Sequence, residues 1–377
     1  MKKVLTVLLV LCLSLSLFAQ GAQEAAAAAT AETTSNYAIA MITDSGDITD
    51  QSFNQSTYEA CKDYAAAKGL KFQYYKPAGD SDTDRSASIE LAIDDGYNII
   101  VMPGYLFGAS IAAVAPEYPD VKFVALDVSE GDVGGSIANV YCMVYQEEIA
   151  GYLAGYATVS LGYTNLGFCG GMAVPAVIRY GYGFVQGADA AAAKLGKTGT
   201  IQYTYANQFF GDADVTAAMD TMYANGAEVV FACGGGVYNS VAEAAAKVGK
   251  KVVGVDVDQK ATIDGAYGEG LTLTSAMKGL YASTQAALKT IVEDGAWDTV
   301  AGTFATLGLV SGTDMDSNFV GIPTGSGTEW SDSFTLADYT AIVNDLYTGA
   351  LTISNDTTVA PADNAKVLTV KDLGNIK

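Results

Sequence analysis

The sequence predicts an α/β protein of two Rossmann-like lobes, each built on a parallel sheet, and three observations carry that expectation. Short apolar runs alternate with helix-like segments, as in β-α-β units whose sheets are covered on both faces. One local pattern occurs twice. Asp94-Asp95-Gly96-Tyr97, the run Asn98 to Met102, Pro103-Gly104 and then Val121 to Asp127 are matched by Ala224-Asn225-Gly226-Ala227, Glu228 to Cys233, Gly234-Gly235-Gly236 and Lys251 to Asp256. The copies keep register over 130 residues, slipping by one before the aspartate. Finally, 377 residues, half of them hydrophobic, suffice for two lobes with their own cores.

From the start of the chain, Lys2-Lys3, the apolar stretch Val4 to Ala19 and the small residues around Ala19-Gln20-Gly21 have the form of a signal peptide over residues 1–21. Export to the periplasm or cell envelope is expected. Cys12 lies inside the apolar stretch with no small residue beside it, so cleavage without lipidation is the expectation and a lipid anchor the alternative. Residues 22–36, rich in alanine and threonine, read as a flexible leader. The first lobe is expected over 37–142 and 276–319, and the second over 143–275 and 320–377.

The first strand, Tyr37 to Ile42, opens into the loop Thr43 to Asp47, followed by a helix capped by Asp50 or Ser52 with Tyr58, Cys61 and Ala65 on one face. Strands follow at Lys71 to Tyr75, Asn98 to Met102 and Lys122 to Leu126, with Pro116, Pro119 and Gly131 to Gly135 in the loops between. Glu147 to Ser160 is a helix able to cross between lobes. The second series has strands at Asn165 to Cys169, Thr200 to Tyr205, Glu228 to Ala232 and Val252 to Val255. Leu271 to Lys278 is a strand running into a helix that ends near Asp294 and returns to the first lobe. A third crossing near Val320 sends a helix around Asp338 to Thr348 back to the second. Three crossings make a stiff hinge that permits closure.

Composition excludes several functions. Loss of Lys2 and Lys3 takes the net charge from −22 to −24, which repels phosphate-rich partners, so nucleic acid is not an expected ligand. Histidine is absent, which removes Ser-His and Cys-His pairs and the usual zinc sites. Cys61, Cys142, Cys169 and Cys233 have no CxxC spacing and are expected as buried free thiols. No metal or cofactor is expected.

Ligands of parallel sheets lie beyond the carboxyl ends of the strands, which puts Asp127 and Asp256 at the binding edges of their lobes, facing one cleft. The loop from Asp44 to Gln55 lies at such an edge too. Turn and cap chemistry accounts for Asp47, Thr49 and Asp50. Binding and structure are equally open for Asp44, Phe53 and Asn54. Gly234 reads as close backbone approach to an uncharged ligand, since the triple glycine lacks the lysine and hydroxyl of a phosphate loop.

Asp44 through Ser52-Phe53-Asn54-Gln55, Val124-Ala125-Leu126-Asp127, Pro175 to Tyr180, Gly254-Val255-Asp256-Val257-Asp258-Gln259 and Ser275-Ala276-Met277-Lys278 together resemble the basic membrane protein family of ABC transporter substrate-binding proteins. Within it they are most similar to the purine nucleoside receptors. The resemblance covers about Tyr37 to Thr348. It implies a type I periplasmic-binding-protein fold with three hinge crossovers, a monomer that traps a purine nucleoside between its lobes, and an ABC permease as partner. It further implies that Phe53 stacks on the base, that Asn54 and Asp127 bind the base edge, and that Asp44, Asp256 and Lys278 hold the ribose hydroxyls. Lys278 would also offset repulsion among the aspartates. Tyr180 stands where relatives commonly carry phenylalanine, which keeps the stacking face and adds a hydroxyl. Of the Phe209-Phe210 pair, Phe210 is the expected cleft residue. The alternatives are a pentose or other small polar ligand, or a nucleoside-cleaving enzyme using Asp44 or Asp256 as base. A DNA-binding regulator on the same lobes would need a basic headpiece that the leader does not supply.

Overall fold

A computed structural model describes residues 36–377. The expected signal peptide and nearly all of the leader, Cys12 included, lie outside the described residues. The first lobe runs β1 (Ala38–Ile42), α1 (Phe53–Lys68), β2 (Lys71–Tyr75), α2 (Asp82–Asp94), β3 (Ile99–Pro103), α3 (Gly108–Val114), β4 (Lys122–Leu126), α4 (Glu130–Val133) and β5 (Val140–Tyr145). The second runs α5 (Glu147–Ser160), β6 (Asn165–Gly170), α6 (Pro175–Leu195), β7 (Thr200–Tyr205), α7 (Ala213–Ala224), β8 (Val229–Cys233), α8 (Tyr238–Val248), β9 (Lys251–Asp256), α9 (Lys260–Tyr267) and β10 (Thr272–Lys278). Next, α10 (Leu280–Val292) and β11 (Phe304–Leu307) rejoin the first lobe. Then β12 (Val320–Gly321), α11 (Leu336–Tyr347) and β13 (Thr369–Asn375) complete the second.

The sheet orders are β11-β5-β4-β3-β1-β2 and β12-β10-β9-β8-β6-β7-β13. Read from the other end, β2-β1-β3-β4-β5 and β7-β6-β8-β9-β10 are the same topology, so the duplicated pattern is a duplicated fold. Within both sheets every pairing is parallel except that of β10 with the short β12. Alternate residues of a strand enter different cores: Ile39 and Met41 pack on one face of the first sheet, Ala40 and Ile42 on the other. Burial on both faces is why these strands read as unbroken apolar runs.

Two sequence expectations need correcting. Helix α5 does not cross between lobes; the chain crosses ahead of it at Gln146, and α5 stays in the second lobe packed on α6. Every residue of α5 is buried, and the two helices meet backbone to backbone. A side chain at Gly151 or Gly155 would collide with the Tyr180 or Phe184 carbonyl, and one at Gly183 or Gly187 with the Glu148 or Tyr152 carbonyl. The other correction concerns where the breaks fall. β5 continues to Tyr145 in the first sheet and β10 to Lys278 in the second, each three residues past the expected boundary, because backbone pairing carries both strands to the cleft edge.

The three crossings are tied to one another. Gln146 N–H donates to the Leu307 carbonyl at 2.9 Å, Phe319 N–H to the Gly308 carbonyl at 3.0 Å and Gly279 N–H to the Phe319 carbonyl at 2.7 Å. The packing there is close: a β-carbon on Gly308 would require the Gln146 side chain to move aside. Among the described residues no helix is long and apolar enough to cross a membrane. Among the described residues the four cysteines, Cys61, Cys142, Cys169 and Cys233, are free and buried, and burial pushes the Cys142 and Cys169 thiols up to about 12.

Candidate ligand-binding site

A cleft with about 620 Å³ of empty space, its mouth included, lies between the carboxyl ends of the two sheets. On the first lobe, β1 ends next to Asp44. Its Oδ1 accepts from Gly46 N–H at 2.7 Å and from Asn54 Nδ2 at 2.9 Å, and Asn54 Oδ1 accepts the Asp44 N–H at 3.2 Å. That reciprocal pair locks the loop onto α1. Burial raises the Asp44 carboxyl above its usual range against the pull of those bonds. Asp50 accepts the N–H groups of Ser52, Asn54 and Gln55, so it caps α1, and burial still pushes it up to about 6. Ser52 makes no cap bond. Its hydroxyl crosses the cleft instead and donates to Asp256 Oδ2 at 2.6 Å.

The duplicated aspartates share a backbone conformation as well as a position. Asp127 has φ 60° and Asp256 φ 64°, the left-handed region that aspartate tolerates better than most side chains. The glycines of the repeat behave alike too: Gly104 and Gly234, one after β3 and one after β8, both have positive φ. Gly104 lies against Asp44, whereas Gly234 lies against Gly171, where a β-carbon would come within 2.9 Å. Gly234 does border the cleft, but the close approach its backbone permits is to protein.

Lys278 ends β10 and is the electrostatic centre. Its ammonium donates to Asp127 Oδ2 at 2.7 Å and Glu147 Oε1 at 3.2 Å. It lies 4.8 Å from the Phe53 ring centre, 5.1 Å from Tyr145 and 5.6 Å from Tyr180, within cation–π range of all three. Burial opposes its charge, yet Asp127, Glu147 and Asp256 hold its pKa above the usual lysine value. Glu147, fully buried, also accepts from Arg179 Nε at 2.6 Å. Burial works against its ionisation, but Lys278 and Arg179 outweigh it and keep its pKa low. The result is a charge chain Asp127–Lys278–Glu147–Arg179. Burial pushes the Asp127 carboxyl up to about 7 despite the ammonium, with Glu147 adding to the rise. Asp127 Oδ1 has no hydrogen-bond partner.

Of the expected residues, Asp44, Phe53, Asn54, Asp127, Tyr180, Gly234, Asp256 and Lys278 line this cleft. Phe210 does not. It is 57% exposed, turned outward by the bridge its backbone forms with Gly236, and Phe209 takes the cleft position. The Tyr180 hydroxyl points neither to water nor across an open cleft but to Asp256 Oδ1, at 3.2 Å. Tyr105 and Leu106, and Val174 and Val177 at the start of α6, line the cleft without having been expected there, and Asp50, expected only as a cap, both caps α1 and lines the cleft. Behind the wall, Glu147 was missed although two adjacent acids opening an otherwise apolar helix signal buried charge. Beyond the cleft, Gln259 Nε2 donates to the Gln51 carbonyl of the other lobe at 3.0 Å. Together with Ser52–Asp256 and Lys278–Asp127 this holds the lobes closed. Among the described residues no group of three or more acids and cysteines could hold a metal.

The model of a protein family described as "ABC transporter substrate-binding protein PnrA-like" matches residues 38–313. A Lactococcus lactis protein named "ABC transporter nucleoside-binding protein BmpA" is 30% identical over 234 residues, 59% of this chain and 64% of that one. "Basic membrane protein B" of Borreliella afzelii is 28% identical over 301 residues, 74% of this chain and 80% of that one. A solute-binding protein of an ABC transporter system from Aeropyrum pernix superposes with a TM-score of 0.64 at 21% identity, covering 85% of this chain and 88% of that chain. The architecture is therefore the type I periplasmic-binding-protein fold. With the family match running through both lobes and the lining residues coming from both, the chain belongs to the PnrA-like family of ABC transporter substrate-binding proteins.

Proposed function

We propose that this protein captures a purine nucleoside between its lobes and hands it to an ABC permease, working as an exported monomer without covalent chemistry. The observation that carries the reading is the orphaned Asp127 Oδ1, buried without a partner in a cleft that the Phe53 ring also lines. A buried acceptor left unpaired costs free energy, and a ligand N–H donor relieves it. An aromatic face beside it suits a flat base, whose stacking is worth about 1–3 kcal/mol per base in single-strand binders. The bonds between lobes support a closed liganded form, so that affinity and closure are thermodynamically linked. The name of the Lactococcus relative agrees with this ligand class.

A thermal-shift panel of nucleosides, free bases and pentoses tests the reading. Guanosine, inosine or adenosine should raise the melt, since ligand at a hundredfold its Kd adds about 2.7 kcal/mol of stability. Asp127→Ala or Phe53→Ala should abolish the shift. A response to ribose alone would defeat the proposal. Incubation with inosine should release no free base.

A further inference from the structure

The two repeat aspartates differ in how much acceptor capacity remains. Asp127 has Oδ2 on Lys278 and Oδ1 unpartnered. Asp256 has both oxygens on protein hydroxyls, Oδ2 on Ser52 at 2.6 Å and Oδ1 on Tyr180 at 3.2 Å. All three members of that second cluster are buried. Ser52 comes from the first lobe and Tyr180 from the second, so in the closed form Asp256 is satisfied from both sides before any ligand bond is counted.

We infer that Tyr180 is a specificity-determining residue: by occupying Asp256 Oδ1 it relieves that carboxylate of needing a ligand hydroxyl, and the cleft accepts a nucleoside whose sugar lacks one. The inference rests on the nucleoside reading and refines it. A site rejects an analogue lacking a hydroxyl by about ten-thousandfold or more when the loss leaves buried polar groups unpaired. Asp127 meets that condition, and Asp256 does not. Selection is strict where the ligand faces Asp127 and lenient where it faces Asp256. The Tyr180 ring remains a wall of the cleft, so Tyr180→Phe keeps the apolar face and returns Oδ1 to the ligand.

Titration calorimetry of the mature chain and its Tyr180→Phe variant with inosine, 2′-deoxyinosine and 3′-deoxyinosine tests this, with guanosine and adenosine and their deoxy forms as parallel series. At least one deoxy analogue should bind the parent protein within about tenfold of its ribonucleoside, far short of the rejection an unpaired buried group produces. Tyr180→Phe should widen that gap by about threefold or more, the effect of one added hydrogen bond. Loss beyond about tenfold for both deoxy analogues, or an unchanged gap in Tyr180→Phe, overturns the inference while leaving nucleoside binding intact. If no ribonucleoside binds at all, the nucleoside reading falls and the inference with it.

Discussion

Replacing Lys278 with methionine removes the one cation that Asp127 touches among the described residues. The Lys278 side chain is 2% exposed, and its ammonium bridges Asp127 at 2.7 Å and Glu147 at 3.2 Å. Methionine keeps the length and apolar contacts to Phe53, Tyr145 and Tyr180 but supplies no charge. Glu147 retains Arg179 at 2.6 Å, so the loss falls on Asp127. Breaking a buried pair by removing one partner costs about 3–5 kcal/mol, because the remaining charge is stranded. Asp127 can escape by taking a proton, and burial has already raised it to about 7. The cost should therefore be near the top of that range at pH 8 and fall by about half at pH 5. Asp127→Asn introduced beside Lys278→Met should recover most of it, since asparagine tolerates the same left-handed backbone. Urea unfolding followed through Trp297 and Trp330, which report on different lobes, measures all four proteins at both pH values. A cost under about 1 kcal/mol at pH 8, or an equal cost with and without Asp127→Asn, would refute the reasoning.

Three further outcomes follow from the geometry. Burial holds Asp50 at about 6 and Asp127 and Glu148 at about 7, all above their unfolded values. Their contribution to stability is complete below about pH 4 and is lost as pH rises through 6 to 7; the unliganded Tm should fall between pH 5 and pH 8, and a flat or rising profile would contradict this. Gly183→Leu forces apart helices whose backbones touch and should cost about 3 kcal/mol or more in denaturant unfolding, whereas Gly265→Ala, with nothing nearby to strike, should cost nothing. Phe209→Ala should weaken nucleoside binding by about tenfold, a stacking-sized loss, and Phe210→Ala should leave it unchanged; equal effects in calorimetry would mean the loop is placed differently.

How much of this was legible in the chain depended on burial. β2, β4 and β7 occupy the residues expected for them, and the central strands were readable because parallel strands covered on both faces leave continuous apolar runs. β13 was not foreseen: its residues are largely exposed, and only backbone pairing to β7 makes it a strand. β11 is short and edge-placed, so composition marks it poorly. At the site, the repeat aspartates could be read from their position after a strand. The choice between Phe209 and Phe210 could not, since a loop has no period to assign faces. Nor could the exchange of roles at α1, where Asp50 satisfies the helix start and frees Ser52 to reach Asp256. That exchange depends on a residue 204 positions away, and the Glu147 pairs with Lys278 and Arg179 are likewise contacts that local spacing does not encode.

The hydrogen bonds among the crossings, from Gln146 to Leu307, Phe319 to Gly308 and Gly279 to Phe319, oppose sliding or twisting of one lobe over the other more than they oppose bending at the hinge. Residues with no ligand contact can then rescale affinity for every guest by one common factor, through the fraction of molecules already shut. Binding strength and ligand choice become separately adjustable, the former at the rear of the molecule and the latter at its mouth.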